Sequence, residues 1–193
     1  MTFLTDFADQ AVVLPLVLAV MAVLTVRGRW RTAALWLGVI CVTFGAVLLL
    51  KLGFIACSSV FVPWSIRSPS GHTAAAAMVA GGLTALVTGR LPVVLLVSLL
   101  SAGVIGMSRV VLGFHSLPEV TIGAVVGLTG AGILSWLAGP PGPRRPVSAL
   151  LVAAAVAILL HGLRLPAEAI IWEFARGALD FLPPCRVARA GVL

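Results

Sequence analysis

Apolar runs of roughly eighteen residues or more alternate with short polar or Gly- and Pro-rich breaks along most of the chain. Such a run can cross the hydrocarbon core of a bilayer as a helix, because a helix satisfies its own backbone hydrogen bonds. The pattern therefore predicts an all-α, polytopic integral membrane helical bundle with about six transmembrane helices. The predicted spans are residues 10–26, 33–56, 72–89, 91–108, 119–138 and 147–164.

Two breaks determine how neighbouring spans are connected. Residues 89–92 read Gly-Arg-Leu-Pro, which is typical of a tight turn, and residues 139–146 form a Gly- and Pro-rich helix stop. The turn predicts that the third and fourth spans form an antiparallel hairpin with legs about 26 Å long, at roughly 1.5 Å per residue. The start of the third span and the region 109–119 then lie at one end of the bundle, together with Lys51 near the end of the second span.

The composition, 61% hydrophobic and 10% charged, predicts a single membrane-embedded domain over residues 1–193, because no stretch is polar and long enough for a separate soluble domain. The formal charge of +7 does not indicate a nucleic-acid partner, since the basic residues form no stripe. Residues 165–193 are expected to form a short interfacial helix around 170–182 and a disordered end.

Loop arginines predict the orientation of the bundle. They lie at the end opposite Lys51, and the positive-inside rule places that end in the cytoplasm. Both termini and the end with Lys51 would then face outward. The loop arginines are Arg27, Arg29, Arg31, Arg90, Arg144 and Arg145.

The first reactive patch is Ser68–Thr73. Ser70 stands directly before an apolar run, so it is a natural N-cap, and the amides that follow it would point outward at a helix start and attract an anion such as phosphate. A capped helix without further function is the alternative. His72 favours the anion site, because a titratable ring in the first turn has no packing role that leucine would not fill better.

The second patch comprises Ser108, Arg109, His115 and Glu119. Arg109 ends an apolar helix, where an ionisable group indicates function unless it only snorkels to the surface. Glu119 follows His115 by four residues and could accept a hydrogen bond from one ring nitrogen, which would leave the other nitrogen nucleophilic. Residues 116–119 also match a capping box, and the two roles are compatible.

Metal binding is a competing use of two histidines and one glutamate. The sequence lacks the i, i+4 histidine pair of a helical zinc site, and three nearby cations would repel a metal ion. Cations next to capped helix starts suit phosphate better. We therefore expect neither a metal nor another cofactor. The three cations are Lys51, Arg67 and Arg109.

Pro69–His72 together with the Arg109, His115 and Glu119 spacing resembles the type 2 phosphatidic acid phosphatase family of membrane lipid phosphatases. The resemblance covers residues 51–127. It implies that His115 attacks phosphorus to form a phosphohistidine, that His72 protonates the leaving oxygen, and that no metal takes part. The residues it implies for phosphate binding are Lys51, Ser70, the amide of Gly71, and Arg109.

The chain departs from the family pattern in three places. Glu119 stands where the family commonly has Asp. The first family motif, Lys-x6-Arg-Pro, survives only as Lys51, since Ser58 and Ser59 occupy the Arg-Pro positions. Arg67 is the cation that could replace the missing guanidinium. Two spans, where the family usually has three, precede Ser70, which agrees with an outward amino terminus.

The sequence as a whole predicts a metal-independent membrane phosphatase that hydrolyses lipid-linked phosphate or pyrophosphate. We expect a multi-pass protein of a bacterial-type plasma (inner) membrane, with its active site on the extracytoplasmic face and its substrate drawn from the bilayer lipids. A lipid phosphotransferase on the same scaffold is one alternative. A non-catalytic phosphate-binding or transport protein is another, because of the missing motif arginine. The particular lipid and the oligomeric state are left open.

Overall fold

The computed structural model of the chain describes residues 2–56, 66–140 and 146–178. Within these ranges every regular element is a helix, which confirms the predicted all-α class. In chain order the helices are α1 (Thr2–Asp6), α2 (Gln10–Val26), α3 (Trp30–Ala56), α4 (Gly71–Thr88), α5 (Leu91–Val111), α6 (Leu117–Ala138), α7 (Val147–Leu159) and α8 (Ala167–Ala178).

Five helical segments in the described part of the chain are long and apolar enough to cross a membrane. The first, Phe3–Val26, combines α1 and α2, and the other four belong to α3, α4, α5 and α6. Many large apolar side chains on these helices are exposed, Leu100 at 60% for example, as expected for a surface that faces lipid. The helices thus indicate a membrane protein, as the apolar runs predicted.

The predicted hairpin is formed by α4 and α5. Gly89 ends α4 in a left-handed conformation with φ 59°, which glycine adopts without steric cost, and its N–H donates to the Ala85 carbonyl. Pro92 then lies in the first turn of α5, where its missing N–H has no helical partner to lose. The two helices pack against each other and run in opposite directions.

The sixth predicted span is shorter than expected. Helix α7 has 13 residues and ends at Leu159, whereas the hydropathy pattern predicted a span to residue 164. Gly162, with φ 88°, turns the chain just beyond the helix, and irregular backbone follows until α8. The interfacial helix begins at Ala167, three residues before its predicted start, and the rest of its predicted range, 179–182, lies outside the described residues.

Helices α4 and α6 approach closely because of glycine. A Cβ atom added to Gly127 would lie 2.5 Å from the Ala74 carbonyl oxygen, and one added to Gly123 would clash with the Ser70 carbonyl. The Gly-x-x-x-Gly pattern therefore forms a helix-packing face, as such patterns commonly do in membrane proteins. This contact sets the position of the first turn of α4 relative to α6.

An apolar core to which all helices from α2 to α7 contribute supports this arrangement. Trp36 of α3 is fully buried, and its indole N–H donates to the Val17 carbonyl of α2 at 3.0 Å. A buried indole needs such a partner, because its N–H has lost water. The core thus fixes α2 and α3 relative to α4.

The connections bring four helix ends to one end of the bundle: the starts of α4 and α6 and the ends of α3 and α5. Lys51 near the end of α3 contacts Ser68, just before α4, which confirms the shared end predicted from the hairpin. The loop of Arg27 and the turn of Arg90 belong to the opposite end.

Substitution of Gly123 tests the close contact between α4 and α6. Gly123→Ala should lower the free energy of unfolding by about 1–3 kcal/mol, because the new methyl group would push on the Ser70 carbonyl. It should also reduce any activity of the site. Gly132→Ala on the same helix is the matched control, since a Cβ atom there would meet its nearest neighbour at 3.9 Å. Equal stability of the two variants in a thermal unfolding assay would contradict the contact.

Candidate active site

Ser70 starts α4 as its N-cap, as predicted. Its side chain is fully buried and accepts from the Thr73 N–H at 3.4 Å and from the Thr73 hydroxyl at 2.9 Å. Gly71 follows with so little room that a Cβ atom would lie 3.3 Å from Cε of Lys51. The absence of a side chain at Gly71 thus lets the lysine stem lie against the start of the helix.

Glu119 joins the two sequence patches. One carboxylate oxygen, Oε1, accepts from the backbone N–H groups of Arg67 at 2.6 Å and Ser68 at 2.9 Å. The backbone carbonyl of Glu119 accepts from the Ser70 N–H at 3.0 Å. The loop before α4 is therefore bound to the first turn of α6 through both the side chain and the main chain of one residue.

The other oxygen of Glu119 serves both roles that the sequence suggested. Oε2 accepts from the Ser116 N–H at 2.9 Å as part of a capping box at the start of α6. It also lies 3.0 Å from Nδ1 of His115. This contact orients the ring and leaves Nε2 of His115 facing away from the carboxylate, as a nucleophile requires.

His115 is buried, and its Nε2 has no hydrogen-bond partner among the described residues. Burial lowers the pKa of the imidazole below its usual value, although the hydrogen bond with Glu119 acts in the opposite direction. A lowered pKa keeps the ring neutral, with a free lone pair, at neutral pH. His115 is thus available to attack an electrophile.

Arg109 lies at the end of α5 with 8% of its surface exposed. Its guanidinium stacks over the Phe114 ring, 4.3 Å from the centroid, and its Nε is buried without a hydrogen-bond partner in the described part of the chain. Its carbonyl accepts from the N–H groups of Phe114 and His115. Arg109 is therefore held in place rather than snorkelling, with a donor still unused.

His72 faces a carboxylate that the sequence analysis did not single out. Its Nε2 lies 3.6 Å from Oδ2 of Asp9, and both side chains are buried. Asp9 is the N-cap of α2, where Oδ1 accepts from the Ala11 N–H at 2.9 Å and from the Leu165 N–H at 3.0 Å. One carboxylate oxygen thus caps a helix while the other approaches His72.

A second unforeseen carboxylate lies beside Lys51, one of the residues predicted to bind phosphate. Oε1 of Glu168, in the first turn of α8, is 2.5 Å from Nζ of Lys51 and 3.9 Å from Nε2 of His115. Burial opposes ionisation of this carboxyl group, but the charge of Lys51 and its hydrogen bond hold the pKa of Glu168 below its usual value. Lys51 also lies 3.4 Å from the Ser68 hydroxyl.

The chain segment before α8 is tied to the amino-terminal segment. Arg164 makes a two-pronged ion pair with Asp6, at 2.8 and 3.0 Å. His161 packs against the rings of Phe3 and Phe7 and bonds to the Phe3 carbonyl at 2.9 Å. These contacts place the start of α8 across the site.

The structure thus brings together most of the residues predicted from sequence. Arg67 is the exception, since its side chain is exposed and only its backbone N–H reaches the site, so its role as a replacement cation stays a prediction. Ser58 and Ser59 lie outside the described residues. The grouped residues are Lys51, Ser70, Gly71, His72, Arg109, His115 and Glu119.

Asp9 and Glu168 were missed because distant parts of the chain supply them. Asp9 did carry a signal, since an acid directly before an apolar helix indicates an N-cap and an ionisable group near the membrane. The only sequence signal at Glu168 was that it is an acidic residue in a largely apolar chain. Among the described residues, no three His, Cys, Asp or Glu side chains form a group that could hold a metal ion.

Three buried polar atoms of this site have no partner among the described residues: Nδ1 of His72, Nε of Arg109 and Nε2 of His115. Buried polar atoms are nearly always hydrogen-bonded, so such a cluster indicates a place for a ligand. Two cations and two imidazoles at capped helix ends are suited to a multiply charged anion such as a phosphate.

Comparison with known proteins agrees with this chemistry. The family model of the PAP2 superfamily matches residues 54–141. The match is consistent with a member of the type 2 phosphatidic acid phosphatase family and confirms the resemblance seen in the sequence. It supports a phosphatase-type activity, that of a phosphoric ester hydrolase in general. Searches of curated proteins and of solved structures find no match.

Proposed function

We propose that the protein hydrolyses lipid-linked phosphate or pyrophosphate through a phosphohistidine at His115. The observation that carries the proposal is the buried Nε2 of His115, which has no hydrogen-bond partner among the described residues. The ring is oriented by Glu119, and its Nε2 lies 3.9 Å from the Glu168 carboxylate that pairs with Lys51. A nucleophile with its second nitrogen held by a carboxylate is the usual arrangement for covalent catalysis.

In the proposed first step, Nε2 of His115 attacks phosphorus and the bond to the leaving oxygen breaks. His72 donates a proton to that oxygen. Water then attacks the phosphohistidine, the P–N bond breaks, and His72 takes a proton from the water. Positive charge next to the phosphoryl oxygens stabilises both transition states, which usually supplies the largest catalytic effect.

Phosphate binding in this scheme rests on Lys51, Arg109 and the start of α4. The ammonium of Lys51 already holds an anionic group, and Nε of Arg109 is free to donate. The amides at the start of α4 add the partial positive charge of a helix terminus. We propose that no metal takes part, so turnover should continue in the presence of a chelator.

Asp9 is proposed as a positioning residue for His72. A protonated imidazole at this place needs a counter-charge, because burial disfavours the charged ring and the nearby cations Arg109 and Lys51 repel it. The carboxylate of Asp9 supplies it at 3.6 Å. We propose that Asp9 and the negative charge of the bound phosphate together let His72 hold its proton until the leaving oxygen takes it.

We also propose that the site opens to the outer face of a bacterial-type plasma membrane. Support comes from Arg27 and Arg90, which lie at the opposite end of the bundle and would favour the cytoplasm.

The His115 mechanism is tested by turnover and labelling. His115→Ala should abolish phosphate release from a lipid phosphate and any acid-labile phosphoenzyme, because it removes the nitrogen that attacks phosphorus in the proposed first step. His161→Ala is the control, since that ring packs on Phe3 and Phe7 away from the cluster. Phosphate release by His115→Ala at the wild-type rate would contradict the mechanism. A stable label without turnover would favour phosphoryl transfer to another acceptor, and no label in the wild type would favour non-catalytic binding.

The role of Asp9 is tested by Asp9→Asn, which keeps the cap of α2 but removes the charge that faces His72. Hydrolysis of an alkyl phosphate should fall by about 10²-fold, within the usual range of general acid catalysis, whereas p-nitrophenyl phosphate should lose far less because its leaving group needs no proton. Glu173→Gln, which neutralises an exposed acid of α8, is the control. An equal loss on both substrates would indicate a purely structural role for Asp9.

The orientation is tested by cysteine labelling in a variant without native cysteines. Gly113 and Gly28 are exposed, and both have φ 72°, so cysteine at either place is comparably strained. A membrane-impermeant thiol reagent added outside should label Gly113→Cys and spare Gly28→Cys. The reverse pattern would place the site in the cytoplasm.

A further inference from the structure

An apolar cleft of about 290 Å³ opens beside the phosphate-binding residues. It lies between α2, α3 and α4, with α8 along one side, and its walls include Leu14, Phe44, Val47 and Leu48. Leu14 and Leu48 are also partly exposed on the surface that faces lipid, at 47% and 41%. The cleft is therefore open to the hydrocarbon region of a bilayer, and its volume lies near the lower end of the range for ligand pockets, roughly 300–1,000 Å³.

The polar end of this cleft is the anion site itself. Two residues of that site line the cleft. Lys51 forms the ion pair with Glu168, and Gly71 is the first residue of α4. A larger cleft of about 410 Å³ lies between α2, α4 and α5, where Leu100 and Val104 form part of its wall. That cleft includes none of the residues assigned to phosphate binding, so a chain in it would not lead to Lys51.

Glu168 occupies the place that a phosphate would take. Its Oε1 lies 3.9 Å from Nε2 of His115, which is about the contact distance of two non-bonded atoms and leaves no room for a phosphoryl group between them. The Glu168 side chain is 38% exposed, so it can turn outward. Its neighbours on α8, Ala167 and Ile171, line the apolar cleft. One helix thus covers both the polar and the apolar part of the site.

We propose that the cleft between α2, α3 and α4 binds the hydrocarbon chain of the substrate while the substrate's phosphate displaces Glu168 from Lys51. This inference rests on the proposed function for its substrate, a phosphate joined to a hydrocarbon chain. A segment of one chain fills the cleft, and the remainder stays in the bilayer. The carboxylate of Glu168 acts as an internal competitor that weakens the binding of every anion at Lys51 by the same factor.

The cleft is tested by filling it with a larger side chain. In the purified full chain in detergent, Leu48→Trp should raise the ratio of the KM for dodecyl phosphate to that for p-nitrophenyl phosphate by about tenfold, the effect of losing roughly two buried methylene groups. Leu14→Trp, from the opposite wall, should act in the same direction. Leu100→Trp places the same side chain in the other cleft and should leave the ratio unchanged.

An unchanged ratio in both Leu48→Trp and Leu14→Trp, or a larger effect of Leu100→Trp, would overturn the assignment. If the wild type hydrolyses neither compound, the proposed function is wrong, and calorimetric binding then decides on the cleft alone. Dodecyl phosphate should bind about tenfold more weakly to Leu48→Trp than to wild type, with inorganic phosphate unaffected. Equal binding of dodecyl phosphate to both proteins would contradict the cleft.

The competitor role of Glu168 is tested with inorganic phosphate, which needs no turnover. Glu168→Gln should bind phosphate about three- to tenfold more tightly than wild type, because a neutral amide holds Lys51 less strongly than a half-exposed carboxylate does. Glu173→Gln removes an exposed acid from the same helix and should bind phosphate like wild type. Equal or weaker binding by Glu168→Gln would show that the carboxylate does not compete for Lys51.

Discussion

The Glu119 carboxylate, buried with four N–H donors around it, is the constraint on which the rest of the site depends. A buried carboxylate is costly unless hydrogen bonds or charges compensate it, so its donors cannot vary independently. Two donors come from the loop before α4, one from the start of α6, and one from the ring of His115. The positions of Ser70 and His115 are therefore coupled, although the hairpin of α4 and α5 separates them in sequence. The glycines of α6 permit this coupling, since any larger side chain would move the two helix starts apart.

Charge is nearly balanced in the site before any ligand arrives. Lys51 forms an ion pair with Glu168. The His72 ring lies next to Asp9, which would attract a charged ring, while Arg109 would repel it. Ionic groups in a medium of low polarity attract strongly, so each cation would be expensive to leave without a counter-charge. A phosphate that enters must therefore replace an acid rather than add to it. The resting arrangement keeps the cations ordered while the site is empty of substrate.

The sequence predicted those parts of the fold that depend on neighbouring residues. Gly89 with Pro92 indicated the hairpin, and Ser116 with Glu119 indicated the capping box, because each pattern acts within a turn or two of chain. The contacts of Asp9 and Glu168 were not predictable in this way, since they join the two ends of the chain to its middle and follow no local period. The hydropathy pattern also predicted too long a span at α7. Apolar residues continue past Leu159, but the backbone turns at Gly162.

The short helix α7 has a consequence for the membrane around the protein. Its 13 residues extend for only about 20 Å, whereas the hydrocarbon core of a bilayer is about 30 Å thick. Beyond Leu159 the backbone is irregular, and its polar groups need water or protein partners, such as the Asp9 carboxylate that accepts from Leu165. Lipid next to α7 must then thin, or water must reach below the level of the neighbouring headgroups. This hydrophobic mismatch would make the bilayer locally thinner beside the start of α2, and lipid headgroups there would lie closer to the level of His72.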